Sequence, residues 1–477
     1  ATKTYTLTVT QKPKPQDLVI STPEELRSFA EAVNQGAFTS VPESTVTLAA
    51  DIDLAGTPWT PMGWDEEHYF SGTFDGAGHT ISGMNVTSEE EWIYVGLFGF
   101  TDGNIKNLTV SGTINSSQSY EYACVGMVVG ACSGGSVTSC VAEGRITGDG
   151  TLRQGAPSIV GGVAGYLEQA PARDCTSLVE IVLKDCSFAG GVVGEAYGCD
   201  VFDSANKGSI AVNEPNFATV GGVVAYIEGG VVEGCHNSGN IEVGSAMNKM
   251  SIVGGIAGKA DAPAGIVRCE NSGAVSGYMN YAGGIIGQNY TSNPATVESC
   301  LNSGVIANSR PDDFPSAGGI VGYAKCPADG EAISSCISMG SVTGGERFGS
   351  IVGKFYGQAA PGSFSNNYRL ESVASSDDAL NCDSVVINED DITQDLIDQI
   401  NEAGGCFRLN DDGSIGVCPY TYTLTVDYGY DEKTEEFQYP KATVVPLDAG
   451  SRPGYTFAGW TMVVEDVSYV LPAAGAE

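Results

Sequence analysis

A glycine-rich phrase returns about every thirty residues along most of this chain, and it constrains the fold more than any other feature. The steps between its copies are 35, 29, 31, 33, 29, 35 and 31 residues. Self-similarity at a period of roughly 20–50 residues is typical of a solenoid, in which each repeat packs on the next. The first glycines of the copies are Gly126, Gly161, Gly190, Gly221, Gly254, Gly283, Gly318 and Gly349.

Each copy combines the phrase Gly-Gly-Ile/Val-Val-Gly with a polar turn, a Val-x-x-Cys segment, an Asn-Ser-Gly corner and a segment centred on Ile or Val. Three short strands per turn are typical of a parallel β-helix. The corner asparagines are expected to stack in register and to hydrogen-bond with one another along the coil. They are Asn206, Asn237, Asn271 and Asn302.

Six of the fourteen cysteines share one position in the repeat. Fourteen cysteines would ordinarily suggest a disulfide scaffold. Here one cysteine per turn predicts a column of buried, reduced thiols spaced by about 4.8 Å, with Ser204 in the same position. Cys406 and Cys418 lie outside the column and are the predicted disulfide. The column consists of Cys140, Cys175, Cys235, Cys269, Cys300 and Cys336.

Changes in pattern divide the chain into four parts. Residues 1–15 alternate in polarity and end in a Pro-rich hinge, which indicates the last strand of a preceding module and a linker. Residues 16–370 form the β-helix, opened by a cap helix with Thr22 as N-cap, Pro23 at the first helical position and Glu25 completing a capping box. Residues 371–419, with a helix near 390–401, form the C-terminal cap, and 420–477 form a second β module.

Charge and hydropathy exclude several classes of function. With 22 basic and 58 acidic residues the formal net charge is −36, which opposes binding to nucleic acid. No stretch of 18 or more apolar residues occurs, so no membrane span is predicted. The termini lead us to expect that the chain is part of a longer protein.

The sequence offers few groups that could perform catalysis. No His-Glu-x-x-His motif, nucleophile elbow or phosphate loop is present. Asp75 and His79 lie among glycines and are interpreted as a tight corner that bonds to backbone. The alternative is a polysaccharide lyase or glycoside hydrolase that uses two carboxylates about 5–10 Å apart. Neighbouring carboxylates point to opposite faces of a strand, which makes the candidate doublets poor pairs. These doublets are Glu66 with Glu67 and Asp312 with Asp313.

Polar insertions between repeats are the expected binding flank, because insertions in repeat proteins form loops on one face. They lie at residues 148–158, 244–251 and 308–315. The spacing of histidine and cysteine lacks the close pairs of a zinc site. We therefore predict no catalytic residue, no metal site and no cofactor, and leave the ligand-binding residues unknown.

The phrase Gly-Gly-Ile-Val-Gly-Tyr followed by Cys-x-Asn-Ser-Gly resembles the GLUG repeat, over roughly residues 45–370. Near the C-terminus, Arg452-Pro-Gly-Tyr-Thr-Phe-Ala-Gly-Trp460 resembles the internalin-type B repeat. The first resemblance implies a right-handed parallel β-helix of bacterial surface or secreted proteins, including adhesins and accessory regions beside zinc IgA-protease domains. The second implies a small β-grasp-like module.

These observations favour a non-catalytic, adhesin-like protein that is extracellular, on the bacterial surface or secreted. A rigid β-helix would hold a flank towards host glycans or extracellular proteins and would reach the cell envelope through regions outside this chain. A carbohydrate-cleaving enzyme and a purely structural stalk are the alternatives.

Overall fold

The computed structural model describes most of residues 17–471. It leaves out residues 88–92, 117–122, 149–157, 246–249, 291–293, 312–314, 326–331, 345–346, 357–363, 374, 377–381, 383, 419–420, 428–433, 441–459 and 465–466, and it describes only the backbone from 421 onward. The predicted strand and linker at 1–15, most of the B-repeat phrase and the doublet Asp312–Asp313 lie outside the described residues.

The chain from residue 17 to 370 is a parallel β-solenoid of about ten turns, which confirms the predicted fold class. Its described residues form three parallel sheets that wrap one continuous apolar core. We name these sheets the glycine sheet, the tyrosine sheet and the asparagine sheet after the residues that recur in them.

The glycine sheet contains the repeat glycines in a single column. Gly190 pairs with Gly161 on one side and Gly221 on the other. A Cβ at Gly190 would overlap the carbonyl oxygen of Val193, so the sharp bend after this strand requires glycine. The described strands are Tyr94–Val95, Ala123–Gly126, Ser158–Gly161, Phe188–Gly190, Phe217–Gly221, Met250–Gly254, Tyr281–Gly283, Ser316–Gly318 and Phe348–Gly349.

The tyrosine sheet follows the glycine sheet in each turn and has two halves. Its first half contains Phe98–Thr101, Val129–Ser133, Ala164–Glu168, Val193–Tyr197, Val224–Glu233, Ala257–Val267, Ile286–Asn289, Val321–Lys325 and Val352–Tyr356. Its second half, into which Val224–Glu233 and Ala257–Val267 continue, contains Asp17–Ile20, Thr45–Leu48, Thr73–Asp75, Asn104–Lys106, Ser136–Thr138, Ala172–Arg173, Val201–Phe202, Thr296–Glu298, Ile333–Ser334 and Phe364–Ser365.

The asparagine sheet closes each turn. Its strands are Ile52–Asp53, Thr80–Thr87, Thr109–Asn115, Val141–Gly148, Thr176–Leu183, Ala205–Asn206, Ile210–Val212, His236–Asn237, Ile241–Val243, Glu270–Asn271, Val275–Gly277, Leu301–Asn302, Ile306–Asn308, Ile337–Ser338, Val342–Gly344, Tyr368–Leu370 and Val385–Ile387. The three polar insertions all follow strands of this sheet and precede strands of the glycine sheet, so their ends share one corner of the coil.

The cysteine column is confirmed. All six of its cysteines are buried and carry free thiols. The thiols are not only apolar fillers, because each lies within hydrogen-bonding distance of backbone carbonyls. Cys269 Sγ, for example, is 3.4 Å from the carbonyl oxygen of Val232 in the preceding turn. Ser204 occupies the same position and donates to the carbonyl oxygen of Phe202 at 2.8 Å.

The asparagine ladder is also confirmed. The side-chain amide of each asparagine donates to the side-chain oxygen of the next at 2.8 Å, from Asn206 through Asn237 and Asn271 to Asn302. Each amide also donates to the carbonyl of the corner glycine two residues on, at 2.9–3.1 Å. A Cβ at Gly222 would overlap the side chain of Asn237, which explains the second glycine of the repeat phrase.

The N-terminal helix, Pro23–Asn34, begins as predicted. The hydroxyl of Thr22 accepts from the backbone N–H of Glu25, and the Glu25 carboxylate accepts from the N–H of Thr22. The helix buries Phe29 among aromatic rings of the first turns, with ring centroids 5.0 Å from Phe38 and 5.6 Å from Phe70. It therefore covers the apolar end of the stack.

The expected C-terminal cap begins with Val385–Ile387, which pairs with Tyr368–Leu370 and extends the asparagine sheet. A 3₁₀ turn, Glu389–Asp391, and a helix, Gln394–Glu402, follow, and then an antiparallel hairpin of Phe407–Leu409 and Ile415–Val417.

This C-terminal segment runs back along the corner between the tyrosine and asparagine sheets. The carbonyl oxygen of Gly404 accepts from Ser299, and that of Ala403 accepts from Asn366 at 2.8 Å. Cys406 carries a free thiol that hydrogen-bonds with the guanidinium of Arg268. The predicted disulfide between Cys406 and Cys418 is therefore wrong, because Cys406 contacts the coil instead.

The chain divides into two compact units, residues 1–417 and 418–477. In the second unit the described backbone forms two antiparallel hairpins. Thr421–Asp427 pairs with Thr434–Pro440, and Trp460–Val464 pairs with Val467–Leu471. Within the described residues of the whole chain, no helix is long and apolar enough to span a bilayer.

Candidate functional site

A row of partly exposed aromatic rings lies outside the coil, where the glycine sheet meets the first half of the tyrosine sheet. Two columns of outward side chains face each other there, and we call the space between them the aromatic groove. From the glycine sheet come Tyr94, Cys124, Ile159, Phe188, Thr219, Ile252, Tyr281 and Ser316. From the tyrosine sheet come Phe100, Ala131, Tyr166, Glu195, Tyr226, Lys259, Gln288, Tyr323 and Lys354.

Small residues at the corner between the two sheets bring these columns together. In most turns the residue just before the outward position on the tyrosine sheet is glycine, as at Gly194 and Gly258. A Cβ at Gly194 would lie 2.7 Å from Cγ2 of Ile159, and one at Gly258 would lie 2.7 Å from Cγ2 of Thr219. The glycines of the repeat therefore also leave the aromatic groove along the outer surface of the solenoid.

The N-terminal part of the groove is an apolar cluster that is separate from the interior core. Cys124, Ala131 and Ile159 form its buried floor, and four aromatic side chains pack on that floor. These side chains are Tyr94, Phe100, Tyr166 and Phe188. An apolar cluster outside the coil, still partly open to solvent, is a surface suited to binding.

Tyr226 lies at the centre of the groove. Its ring stacks on Phe188 with centroids 5.5 Å apart, and its hydroxyl lies 2.9 Å from a carboxylate oxygen of both Glu228 and Asp261. Lys259 pairs with Asp261 at 2.7 Å, and its ammonium lies 5.0 Å from the centre of the Tyr226 ring. Burial and these two carboxylates raise the pKa of Tyr226 well above its usual value.

Glu195 occupies the outward column directly between Tyr166 and Tyr226. Its burial there, and then the neighbouring charge of Glu228, raise the pKa of Glu195 from 4.5 to about 7. Glu228 lies one strand and two residues away in the register, which places the Cα atoms of Glu195 and Glu228 about 8 Å apart for a strand spacing of ~4.8 Å and a rise of ~3.3 Å per residue.

The C-terminal part of the groove is an aromatic stack flanked by lysines. Tyr323 lies between Tyr281 and Tyr290, with ring centroids 4.6 and 4.8 Å away, and is only 8% exposed. Tyr356, 57% exposed, meets Tyr290 edge to face at 5.6 Å. Burial and then the neighbouring tyrosines raise the pKa of Tyr323 to about 12, so it stays a neutral phenol.

The structure supports the corner interpretation for Asp75, but His79 does not show the side-chain bond to backbone that was expected. The Asp75 carboxylate accepts from the backbone N–H of Ala77 at 2.8 Å and pairs with Lys106. His79 instead lies 3.1 Å from Asp51, on the preceding turn. Asp75 and His79 are thus held apart by separate partners.

The remaining sequence candidates are dispersed. Glu66 accepts from the hydroxyl of Tyr94 at 3.3 Å, at the N-terminal end of the aromatic groove. His68 pairs with Asp65 at 2.9 Å, and His236 lies 3.5 Å from Glu270 on a different turn. Asp312, Asp313, most of the insertion at 148–158 and parts of the insertions at 244–251 and 308–315 lie outside the described residues. Among the residues that are described, no three histidine, cysteine, aspartate or glutamate side chains are grouped to hold a metal ion.

Sequence reasoning missed the groove, although the signal is present. The outward position on the tyrosine sheet is the fifth residue after each repeat glycine, for example Tyr226 after Gly221. It is Tyr, Glu, Lys, Gln or, in one turn, Ala, whereas the residue before it is always Gly or Ala. Variation at one fixed position in an otherwise regular repeat indicates a surface column rather than a core position.

Comparison with known proteins gives distant similarities only. No family model matches the chain. It is similar to halomucin from Haloquadratum walsbyi, at 26% identity over 184 residues that cover 37% of this chain but only 2% of halomucin. Among solved structures it is similar to a candidate immunoglobulin A1 protease from Bacteroides ovatus, at 16% identity with a TM-score of 0.38, covering 84% of this chain and 91% of that one. A structure named IgA1 Protease matches at 17% identity with a TM-score of 0.42, covering 84% of this chain and 24% of that one.

These similarities assign neither a family nor an activity. The resemblances to the GLUG repeat and to the internalin-type B repeat, with the modules they imply, stay predictions.

Proposed function

We propose that the protein is a non-catalytic, extracellular β-helix that binds a glycan along the aromatic groove. The observation that supports this most directly is the row of partly exposed aromatic rings that repeats along the stack outside the core. The C–H faces of a sugar ring are apolar and pack on aromatic faces, while its hydroxyl groups bond to carboxylates such as those beside Tyr226.

The length of the groove favours a polymer as the ligand. Each turn advances the outward columns by about 4.8 Å, so the groove passes several turns of the coil. An extended polysaccharide can contact the aromatic rings of several turns at once. Placement outside the cell, and an adhesin-like role there, are part of the proposal and rest on the resemblance in sequence to surface proteins.

Two aromatic substitutions and a matched control test the proposal on a glycan array. Tyr226→Ala removes the centre of the groove, and Tyr290→Ala opens its C-terminal stack. Phe217→Ala is the control, because Phe217 is 60% exposed on the glycine sheet and lies outside the groove columns. We expect both tyrosine variants to lose at least tenfold in glycan affinity and the control to retain it. Equal binding by all three variants would contradict the proposal, as would the absence of any glycan ligand.

One observation favours a second candidate, a glycoside hydrolase. Burial and the charge of Glu228 raise the pKa of Glu195 to about 7, and the two residues lie on the same face of adjacent strands, so a carboxyl with a raised pKa and a second carboxylate share one surface, as in glycosidases. Product release from a bound glycan, abolished in Glu195→Gln with binding retained, would establish the hydrolase. Binding without product favours the non-catalytic function.

A further inference from the structure

Two lysines at the C-terminal end of the aromatic groove alternate with two tyrosines on adjacent strands. Tyr323 lies directly opposite Lys354, and Lys325 lies directly opposite Tyr356. The ammonium of Lys354 is 5.4 Å from the centre of the Tyr323 ring, and that of Lys325 is 5.9 Å from the centre of the Tyr290 ring. We call these five residues the Tyr/Lys patch.

The charge of the patch is unusual for this chain. Acidic residues outnumber basic ones by 58 to 22. Within the described part of the chain, Lys106, Lys184 and Lys259 each pair with a carboxylate, whereas Lys325 and Lys354 contact aromatic rings and form no ion pair. A lysine held over a ring keeps donor hydrogens that can reach an anion.

The groove is therefore polarised along its length. Its N-terminal and central parts carry Glu168, Glu195 and Glu228, while the lysines of the Tyr/Lys patch lie near the last turns. An anionic ligand is repelled by the first region and attracted by the second. Charge thus selects both the kind of glycan and the place where it binds.

We propose that the Tyr/Lys patch binds an anionic polysaccharide, an inference that rests on the proposed glycan function. A sugar ring packs on Tyr290 and Tyr356, and its acidic group lies between Lys325 and Lys354. The acidic group can be a carboxylate, as in a uronic acid, or a sulfate ester, since an ammonium recognises both. The exposed ring of Tyr356 separates this site from a purely electrostatic one, because charge alone does not require a platform.

Calorimetric titration tests the inference with four probes: oligogalacturonate, a sulfated galactan oligosaccharide, a neutral galactan of equal length and a polyglutamate peptide of equal charge. The double variant Lys325→Gln/Lys354→Gln removes the two ion pairs that the lysines would form with the acidic group of the sugar, so we expect its affinity for the anionic sugar to fall roughly 2- to 30-fold. Lys207→Gln changes an exposed lysine in the corner between the strands Ala205–Asn206 and Ile210–Val212, away from the groove, and should leave the affinity unchanged. Tyr356→Ala should weaken binding as well.

Each outcome of the titrations either supports or contradicts the inference. Tighter binding of either anionic sugar than of the neutral galactan, lost in the double variant, supports the inference, and the better of the two probes identifies the acidic group. Neutral galactan that binds as tightly, or a double variant that binds like the native protein, overturns the inference but leaves the proposed glycan function intact. Polyglutamate that binds as tightly as the sugars overturns the carbohydrate assignment of the patch. If no sugar binds, both proposals fail.

Discussion

Replacement of Asn237 by alanine tests the asparagine ladder in the interior of the coil. The side chain of Asn237 accepts from Asn206 and donates to Asn271, both at 2.8 Å. It also bonds to the carbonyl and the N–H of Gly239 at 3.0 and 3.2 Å. Asn237 is 1% exposed, so water cannot replace these partners.

The expected cost follows from these four hydrogen bonds. A buried hydrogen bond contributes a net ~0.5–1.5 kcal/mol, so the loss of four predicts a decrease of about 2–6 kcal/mol in the free energy of unfolding. The matched control is Asn240→Ala. Asn240 is exposed and accepts one hydrogen bond, from the N–H of Ala274 at 3.0 Å, so its loss should cost less than about 1 kcal/mol.

Urea denaturation followed by circular dichroism measures both variants. Because a solenoid can unfold in parts, hydrogen exchange of the amides of residues 236–241 should accompany it and should accelerate in Asn237→Ala only. If Asn237→Ala unfolds at the same urea concentration as Asn240→Ala, the ladder does not stabilise the coil and the reasoning is refuted.

Three further outcomes follow from the interior and the groove. Cys269→Ser should cost no more than about 1–2 kcal/mol, because Ser204 already occupies this column and a hydroxyl can bond to the same carbonyls; a larger loss in urea denaturation would contradict that view. Phe29→Ala should lower the free energy of unfolding by about 3–5 kcal/mol by opening a cavity under the N-terminal helix, whereas the exposed Leu178→Ala should change it little. The pKa of Glu195 is raised from 4.5 to about 7, so the folded state holds the proton of this carboxyl more tightly than the unfolded state does. The resulting contribution to stability is full below about pH 4.5 and is lost as the pH rises through 7. Glu195→Gln should remove this part of the pH dependence of thermal unfolding, and an unchanged profile would show that Glu195 does not titrate there.

The inward-facing columns of the coil could be predicted from sequence because their chemistry repeats. At the positions of Gly190, Cys269 and Asn237 in the repeat, one residue type or one close substitute recurs from turn to turn. Because the interior of the coil has the same width in every turn, each inward position requires a side chain of the same size and polarity. Residues that recur with the period of the repeat therefore form a column in the structure. The capping box at Thr22 was predictable for a related reason, since its geometry depends only on neighbouring residues.

The candidate site could not be read in the same way. The outward column carries Tyr226, Lys259 and Tyr323 among unrelated residues, because solvent does not impose one size or charge. Its position against the glycine sheet depends on how tightly the chain bends, which the spacing of the repeat does not specify. The left-handed corners before the cysteine column were missed for a similar reason. Except for Gly234, they are occupied by non-glycine residues such as Asp203 and Arg268, at φ of 47° and 49° for these two.

The C-terminal segment shows a different limit. Its helix was predicted from local pattern and its hairpin was not, and its return along the coil depends on contacts with distant residues such as Ser299 and Arg268. The disulfide predicted for Cys406 was wrong because the contacts of this residue are with distant parts of the chain. Two cysteines outside the column suggested a bond to each other, and nothing in the local sequence indicated the guanidinium that one of them meets.

Hydrogen–deuterium exchange in the presence of a saturating anionic glycan tests the central claim most directly, because it locates the ligand without any substitution. The account predicts slower exchange in the strands that line the groove, above all Tyr281–Gly283, Val321–Lys325 and Val352–Tyr356, with the asparagine sheet unchanged. Protection confined to the polar insertions at 148–158, 244–251 and 308–315 would place the ligand at a different corner of the coil and would contradict the assignment of the aromatic groove as the binding site.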